Sequence, residues 1–188
     1  MRNMQIMRLI GLPLALLVAF SASNASAQSN SIGMPLADGG DPYGPAVARM
    51  VRSIAEFVRW PDEDRTLRLC IATPSDHADR IEDFALSRQL RVTVRSGSFD
   101  SFAPGSCDAV YFGRYSLEQL RLMVASLGGR PVLTIAENDP ACRSKAMFCL
   151  LFGADSLNFR MNLDSVSRSG IRIDPRVLRL ATPESGTK

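Results

Sequence analysis

Residues 107–136 decide the fold and read CDAVYFGRYSLEQLRLMVASLGGRPVLTIA. The apolar run within 107–113 predicts a buried strand. Ser116, with Gln119 three residues later, forms a capping-box pattern that predicts a helix, and the two glycines at the end of that helix favour its termination. A second apolar strand follows at 131–136. Strand, helix and strand in this order form a βαβ unit, which predicts two parallel strands.

The same alternation extends on both sides of this unit. The prediction is a helix from Pro45, a strand at 67–73, a helix at 76–87 and a strand at 90–95 before it, and after it strand-like runs at 148–152 and 157–162 with helices at 163–168 and 175–180. The two late strands flank a Gly-Ala-Asp turn, which predicts an antiparallel hairpin. We therefore expect the α/β class: a mostly parallel central sheet flanked by helices, with a C-terminal antiparallel edge hairpin.

The N-terminus has the three parts of a secretory signal peptide. Residues 1–8 are basic, residues 9–20 are apolar, and Ala25-Ser26-Ala27 supplies a small-residue cleavage site. A membrane anchor is the alternative, but 12 residues span only about 18 Å of helix against roughly 30 Å of hydrocarbon. We expect cleavage after Ala27, a periplasmic protein, and no direct membrane insertion of the mature chain.

Composition and charge narrow the function classes further. Hydrophobic residues make up 46% of the chain and charged residues 22%, which excludes wholesale disorder. The net charge of +3 falls to +1 without Arg2 and Arg8 of the leader (20 basic against 19 acidic groups), so no nucleic-acid partner is expected.

We predict a flexible lead-in at 28–44, one domain at 45–181 and a disordered tail at 182–188.

Four cysteines, Cys70, Cys107, Cys142 and Cys149, lie in the mature chain. An even number in an exported protein predicts two disulfides, with three pairings possible. A local Cys142–Cys149 bridge across a polar turn is the simplest, and it leaves Cys70 with Cys107. Zinc would need paired Cys-x-x-Cys or nearby histidines, and the chain has only His77, so no metal or cofactor is expected.

Catalytic motifs are missing from the sequence. It contains no dinucleotide-binding glycine pattern, no phosphate-binding lysine loop and no nucleophile elbow. Glu137, Asp139 and Asp155 follow strand ends, where α/β proteins often place ligand groups, but ordinary loop residues also occur there. We expect no enzyme, and keep a hydrolase using Glu137 or Asp139 with an arginine as an alternative hypothesis.

Two sets of basic, aromatic and amide residues are the candidates for partner or ligand binding: Phe57, Arg59, Trp60, Arg160, Asn162, Arg172 and Arg176. Tryptophan with arginine and phenylalanine is typical of interface hot spots and ligand pockets, although a core tryptophan is an equally good interpretation of Trp60. The later arginines either protect an edge strand from unwanted pairing or receive an acidic partner or small anion.

Five motifs, in this order, resemble the YfiR family of small periplasmic proteins (the DUF4154 domain) over about Pro45 to Ala181. They are FVRWP at 57–61, PVLTI at 131–135, FRMN at 159–162, SGIRID at 169–174 and VLRLA at 177–181. The cysteine pair at 142 and 149 falls between the second and third motifs. The lead-in at 28–44 is longer than the family pattern suggests.

The resemblance implies a regulator rather than a catalyst. Such a protein holds the periplasmic sensor region of an inner-membrane diguanylate cyclase inactive, which lowers cyclic di-GMP and biofilm formation. It also implies a homodimer, two intramolecular disulfides on the pairs given above, and release of repression by redox or envelope stress. Some relatives stand beside sensor kinases, so a small-ligand sensor or an accessory subunit of such a kinase is the alternative.

Overall fold

The computed structural model describes residues 33–37, 39–61 and 65–181; the predicted signal peptide and the predicted tail lie outside the described residues. Among the residues described, no helix is both long and apolar enough to cross a membrane. The elements are β1 (Met34–Pro35), α1 (Tyr43–Glu56), β2 (Val58–Arg59), β3 (Leu67–Ala72), β4 (Phe84–Ala85), β5 (Arg91–Gly97), β6 (Ala109–Phe112), α2 (Leu117–Ser126), β7 (Leu133–Ala136), β8 (Phe148–Phe152), β9 (Ser156–Met161), α3 (Leu163–Arg168) and β10 (Arg172–Ile173), with 3₁₀ helices at Phe99–Ser101 and Pro175–Ala181.

Eight strands form the main sheet in the order β1-β9-β8-β7-β6-β3-β5-β4. The five central strands, β8, β7, β6, β3 and β5, are parallel to one another, whereas β4 pairs antiparallel with β5 at the edge. Strands β8 and β9 form the predicted antiparallel hairpin, and β1 pairs outside it with β9. The predicted fold class is confirmed, with β1 as the outermost strand beyond the hairpin.

The sheet buries both of its faces. Along β3, Leu67, Leu69 and Ile71 join a larger core that α1 covers, whereas Cys70 and Ala72 join a smaller core on the opposite face, against Leu120 of α2. Successive side chains of a strand point to opposite faces, so near-continuous apolar strands are what a sheet covered on both sides requires. This explains why β6, β7 and β8 lack a polar alternation.

Helix α2 has the ends that the sequence predicts. Ser116 Oγ accepts a hydrogen bond from the Gln119 amide, and the Gln119 side chain accepts one from the Ser116 amide, which completes the capping box. Gly128 and Gly129 follow the helix with φ of +62° and +69°. Glycine adopts this left-handed region without strain, so the chain turns directly towards β7.

The predicted helix at 76–87 is wrong, because this segment consists of turns followed by β4. Bonds to other parts of the chain hold this segment: Glu137, directly after β7, accepts the amide protons of Asp76 and His77, and the segment's own Asp83 accepts the Val94 amide proton of β5. These contacts replace helical hydrogen bonds. The last predicted helix is also different in kind, since Pro175–Ala181 is a 3₁₀ helix.

Part of the segment predicted as a flexible lead-in is ordered. Strand β1 lies inside it and pairs with Leu157 and Ser156 of β9. Helix α1 begins at Tyr43, two residues before the predicted start, because the Asp41 carboxylate accepts the amide protons of Tyr43 and Gly44. An aspartate that accepts amide protons at a helix start stabilises that end.

Candidate functional site

A small two-stranded ribbon brings distant candidate residues together. Helix α1 ends at Glu56, and the chain then enters β2. This strand pairs antiparallel with β10, which comes near the end of the domain sequence. Arg59 lies opposite Arg172 in this pairing, and the Asp174 amide donates to the Phe57 carbonyl at 2.8 Å. The structure therefore places three predicted binding residues, Phe57, Arg59 and Arg172, on one ribbon.

The ribbon borders an open cavity of about 690 Å³, which we call the ribbon groove, lined by Glu56, Phe57, Arg59, Ser87, Arg88, Asp174 and Arg176. Its two carboxylates are already bonded: Glu56 accepts the amide and hydroxyl protons of Ser87, and Asp174 accepts Arg176 Nη2 at 2.7 Å. Hydrogen bonds from Arg176 lower the pKa of Asp174 to about 2. Three guanidinium groups face these two carboxylates, so the groove is basic.

Trp60 does not line the ribbon groove. Its side chain is 6% exposed, belongs to the larger core, and donates from Nε1 to the Ala55 carbonyl at 3.2 Å. A buried indole normally finds such a hydrogen-bond partner. The interpretation of Trp60 as a core residue accounts for this placement, and a binding role for it stays a prediction.

Arg160 and Asn162 lie apart from the groove lining, at the end of β9. Arg160 is exposed and lies opposite Cys149 in the β8–β9 pairing. The Asn162 side chain accepts the Ser165 amide proton at 3.0 Å and so caps α3. The sequence grouped these two residues with Arg172 and Arg176, but neither Arg160 nor Asn162 lines the groove that Arg176 borders.

The two disulfides join Cys70 to Cys107 and Cys142 to Cys149, with Cα–Cα distances of 5.8 and 5.4 Å. This is the predicted pairing. All four cysteines belong to, or pack against, the smaller core on the α2 face of the sheet. Both crosslinks therefore stabilise the same face.

A buried carboxylate beside Cys107 was not found from the sequence. Asp108 is 8% exposed and accepts two hydrogen bonds from Arg65, at 2.7 and 3.0 Å, and others from the Arg68 amide and side chain. Burial acts to raise the pKa of Asp108, but the bonds from both arginines outweigh it and the pKa is lowered. The sequence did contain a signal for this contact. Asp108 comes directly before β6, and Arg65 and Arg68 lie before and within β3, which is the neighbouring strand.

Carboxylates also follow the ends of the parallel strands, as the sequence predicts. Glu137 is 5% exposed and its Oε1 accepts the amide protons of Asp76 and His77, at 2.9 and 3.0 Å. Asp139 is buried and accepts the Ser144 amide proton at 2.6 Å, and Asp155 is exposed in the hairpin turn. Glu137 and Asp139 thus hold backbone turns in place, as loop residues do.

No set of three or more His, Cys, Asp or Glu residues could hold a metal ion in the part of the chain that the structure describes. Fold and surface together define a class: an α/β module crosslinked by two disulfides, with an exposed basic groove suited to binding. The family model described as YfiR/HmsC-like matches residues 45–182. The protein belongs to this family of periplasmic regulators, and membership supports a general regulatory role.

Proposed function

We propose that this protein is a periplasmic, non-enzymatic regulator that binds the periplasmic sensor region of an inner-membrane diguanylate cyclase and represses it. The consequence is less cyclic di-GMP and less biofilm. Family membership carries the proposal, because the matched region covers nearly all of the described domain. The disulfides support it, since crosslinks of this kind form and persist in an oxidising compartment such as the periplasm.

The surface that we propose for the partner is the ribbon groove together with the adjoining exposed side of the ribbon, which carries Arg172. Arg59 and Arg172 are both exposed and stand side by side across the β2–β10 pairing. Phe57 packs against the larger core, which anchors the strand carrying Arg59. Guanidinium groups on a fixed backbone suit carboxylates, so an acidic segment of the sensor region fits this surface.

Charge reversal tests this surface. An Arg59→Glu, Arg172→Glu double variant should fail to lower cyclic di-GMP in cells that lack the native protein, because like charges repel an acidic partner. The matched control is Arg91→Glu, Arg95→Glu, which reverses two exposed arginines of β5. Equal repression by the groove variant and the parent, with both folded by circular dichroism, would remove the groove from the proposal.

A small-ligand sensor, or an accessory subunit of a sensor kinase, is the second candidate function, and the concavity of the ribbon groove favours it. A volume of about 690 Å³ suits a small molecule, and its arginines suit an anion. Calorimetric titration with nucleotides, amino acids and peptidoglycan fragments tests this. Binding that Arg59→Glu abolishes supports a sensor, and no heat from any of these ligands counts against it.

We propose that the mature protein is exported and cleaved after Ala27. Mass spectrometry of the periplasmic fraction should find a chain that begins at Gln28 and has no free thiol, because all four cysteines are paired in the structure. A retained leader would contradict export with cleavage after Ala27. Four free thiols would contradict disulfide-linked control.

We also propose a homodimer. Light scattering of the purified mature protein should give twice the mass of one mature chain at micromolar concentration. A monomer mass across the whole concentration range would contradict this part of the proposal and leave the partner surface to be tested by charge reversal.

A further inference from the structure

A second cavity, with a volume of about 330 Å³, lies between α2 and α3. We call it the α2–α3 cavity, and its lining includes Val124, Leu127, Arg130, Lys145, Met147 and Arg168. None of its lining residues borders the ribbon groove. Pockets for small molecules have volumes of roughly 300–1,000 Å³, so this cavity is large enough for a small ligand.

The floor of the α2–α3 cavity is apolar. Val132 and Met147 are 6% and 4% exposed, and Val124 and Leu127 at the end of α2 are half-buried. Leu120 is the fully buried residue of α2, so the next turn of this helix leaves apolar surface that the protein itself does not cover. Removing such surface from water favours binding, and the floor therefore suits the apolar body of a ligand.

The rim of the α2–α3 cavity is basic. It carries three cations, Arg130, Lys145 and Arg168, but one carboxylate, Asp164, whose Oδ1 lies 2.8 Å from Arg168 Nη2. Arg130 donates from Nε and Nη2 to two backbone carbonyls at the end of α2, at 2.8 and 3.4 Å, which fixes its guanidinium group. Within residues 33–37, 39–61 and 65–181, neither Arg130 nor Lys145 pairs with a carboxylate. A carboxylate on the ligand supplies the missing negative charge.

The backbone of Lys145 is fixed by the turn that carries it. Its φ is +68°, in the left-handed region that a lysine rarely adopts. Its neighbours Ser144 and Ala146 are fully buried, and their amides donate to Asp139 Oδ2 at 2.6 Å and to Ser144 Oγ at 3.2 Å. The Cys142–Cys149 bridge closes this turn. Residues held in such a costly conformation cluster at ligand-binding sites, and here the turn presents an exposed ammonium group from a rigid base.

We propose that the α2–α3 cavity binds a small organic carboxylate with an apolar body. Lys145 and Arg130 receive the carboxylate, and the apolar body packs on Val132, Met147 and the end of α2. The site shares no lining residue with the ribbon groove, so this ligand can bind while the groove is occupied.

Nitrogen-15 NMR titration with 4-phenylbutyrate and with octanoate tests the class of ligand. Both carboxylates should shift amide signals at 124–132, 145–147 and 164–169 and leave those of the ribbon groove unchanged. The alcohol 4-phenylbutan-1-ol keeps the apolar body without the charge, and acetate keeps the charge without the body, so each should bind at least about tenfold more weakly. No shift of the cavity amides with either carboxylate, or equally tight binding of the alcohol or of acetate, overturns the proposal.

Two substitutions of Lys145 test the role of its charge. Lys145→Gln should weaken the binding of 4-phenylbutyrate by about tenfold. Lys145→Gly also removes the charge, but glycine fits the left-handed backbone, so the turn keeps its shape and binding should weaken by the same factor. The matched control is Arg143→Gln, which removes an exposed cation of the same turn that does not line the cavity, and it should bind as the parent does. Undiminished binding in both Lys145 variants, or an equal loss in Arg143→Gln, would overturn the proposal.

Discussion

Asp108 is a single side chain on which two neighbouring strands depend. Its carboxylate binds Arg65 and Arg68, whose side chains are 38% and 36% exposed, before β3 and within it. Replacing Asp108 with Asn keeps the shape but removes the charge, so we expect a loss of about 2 kcal/mol in the free energy of unfolding, reduced from a fully buried pair by solvent screening. Urea denaturation at neutral pH measures this loss.

The contribution of Asp108 to stability depends on pH. The pKa of Asp108 is lowered in the folded protein, so its contribution is present above the unfolded pKa of about 3.9 and is lost as pH falls through the folded pKa. The stability difference between parent and Asp108→Asn should therefore shrink below about pH 4. Asp164→Asn, which breaks an exposed pair with Arg168, is the control. A difference that stays constant on acidification would contradict this account.

Trp60 offers a way to separate a core role from a binding role. Trp60→Phe keeps an aromatic ring but loses volume and the bond to the Ala55 carbonyl. We expect the free energy of unfolding to fall by about 1–2 kcal/mol while repression at low temperature is retained. The thermal midpoint and cellular cyclic di-GMP measure the two effects. Loss of repression with unchanged stability would instead place Trp60 in contact with a partner or ligand.

At the scale of elements, local signals decided what the sequence could predict. Helix α2 carries its own start and stop in Ser116, Gln119 and the following glycines, so its ends are right. The segment 76–87 shows apolar residues at helical spacing, yet Glu137, sixty positions later, binds its amides. Single-chain periodicity contains no information on such a distant acceptor.

The sequence predicted which residue types belong to the candidate site, but it did not predict how the fold brings them together. Arg59 and Arg172 were recognised as binding candidates, yet their strands have two residues each, too short for an alternation to be visible. Their pairing depends on where α1 and the last 3₁₀ helix pack. Ser87 and Arg88 complete the groove lining; they are the last residue of the segment that was predicted as a helix and the residue directly after it.

The two disulfides should contribute unequally to stability. The loop-entropy model gives about 4 kcal/mol for the longer Cys70–Cys107 loop and about 2.5 kcal/mol for the Cys142–Cys149 loop. A Cys70→Ala, Cys107→Ala variant should therefore unfold at lower urea concentration than Cys142→Ala, Cys149→Ala. The reverse order, at equal denaturant slopes, would show that packing around the Cys142–Cys149 turn outweighs chain entropy.

The two faces of the main sheet are covered by apolar cores of unequal size. Twenty-seven described residues are buried in the larger core with α1, against nine in the smaller core with α2, and the smaller set includes Cys70 and Cys149. Only Leu120 of α2 is fully buried. Apolar burial supplies most of the stability of a face, so the α2 face depends on its crosslinks more than the α1 face does.

Reduction should therefore loosen one face before the other. In hydrogen exchange with a thiol reductant, amides of α2 (Leu117–Ser126) should lose protection while those of α1 (Tyr43–Glu56) keep it, because the larger core contains no cysteine. A variant with all four cysteines replaced by Ala should not respond to the reductant. Loss of protection in both helices together would contradict unequal faces. The ribbon that borders the groove packs on the larger core through Val58 and Ile173, so binding at the groove should survive reduction.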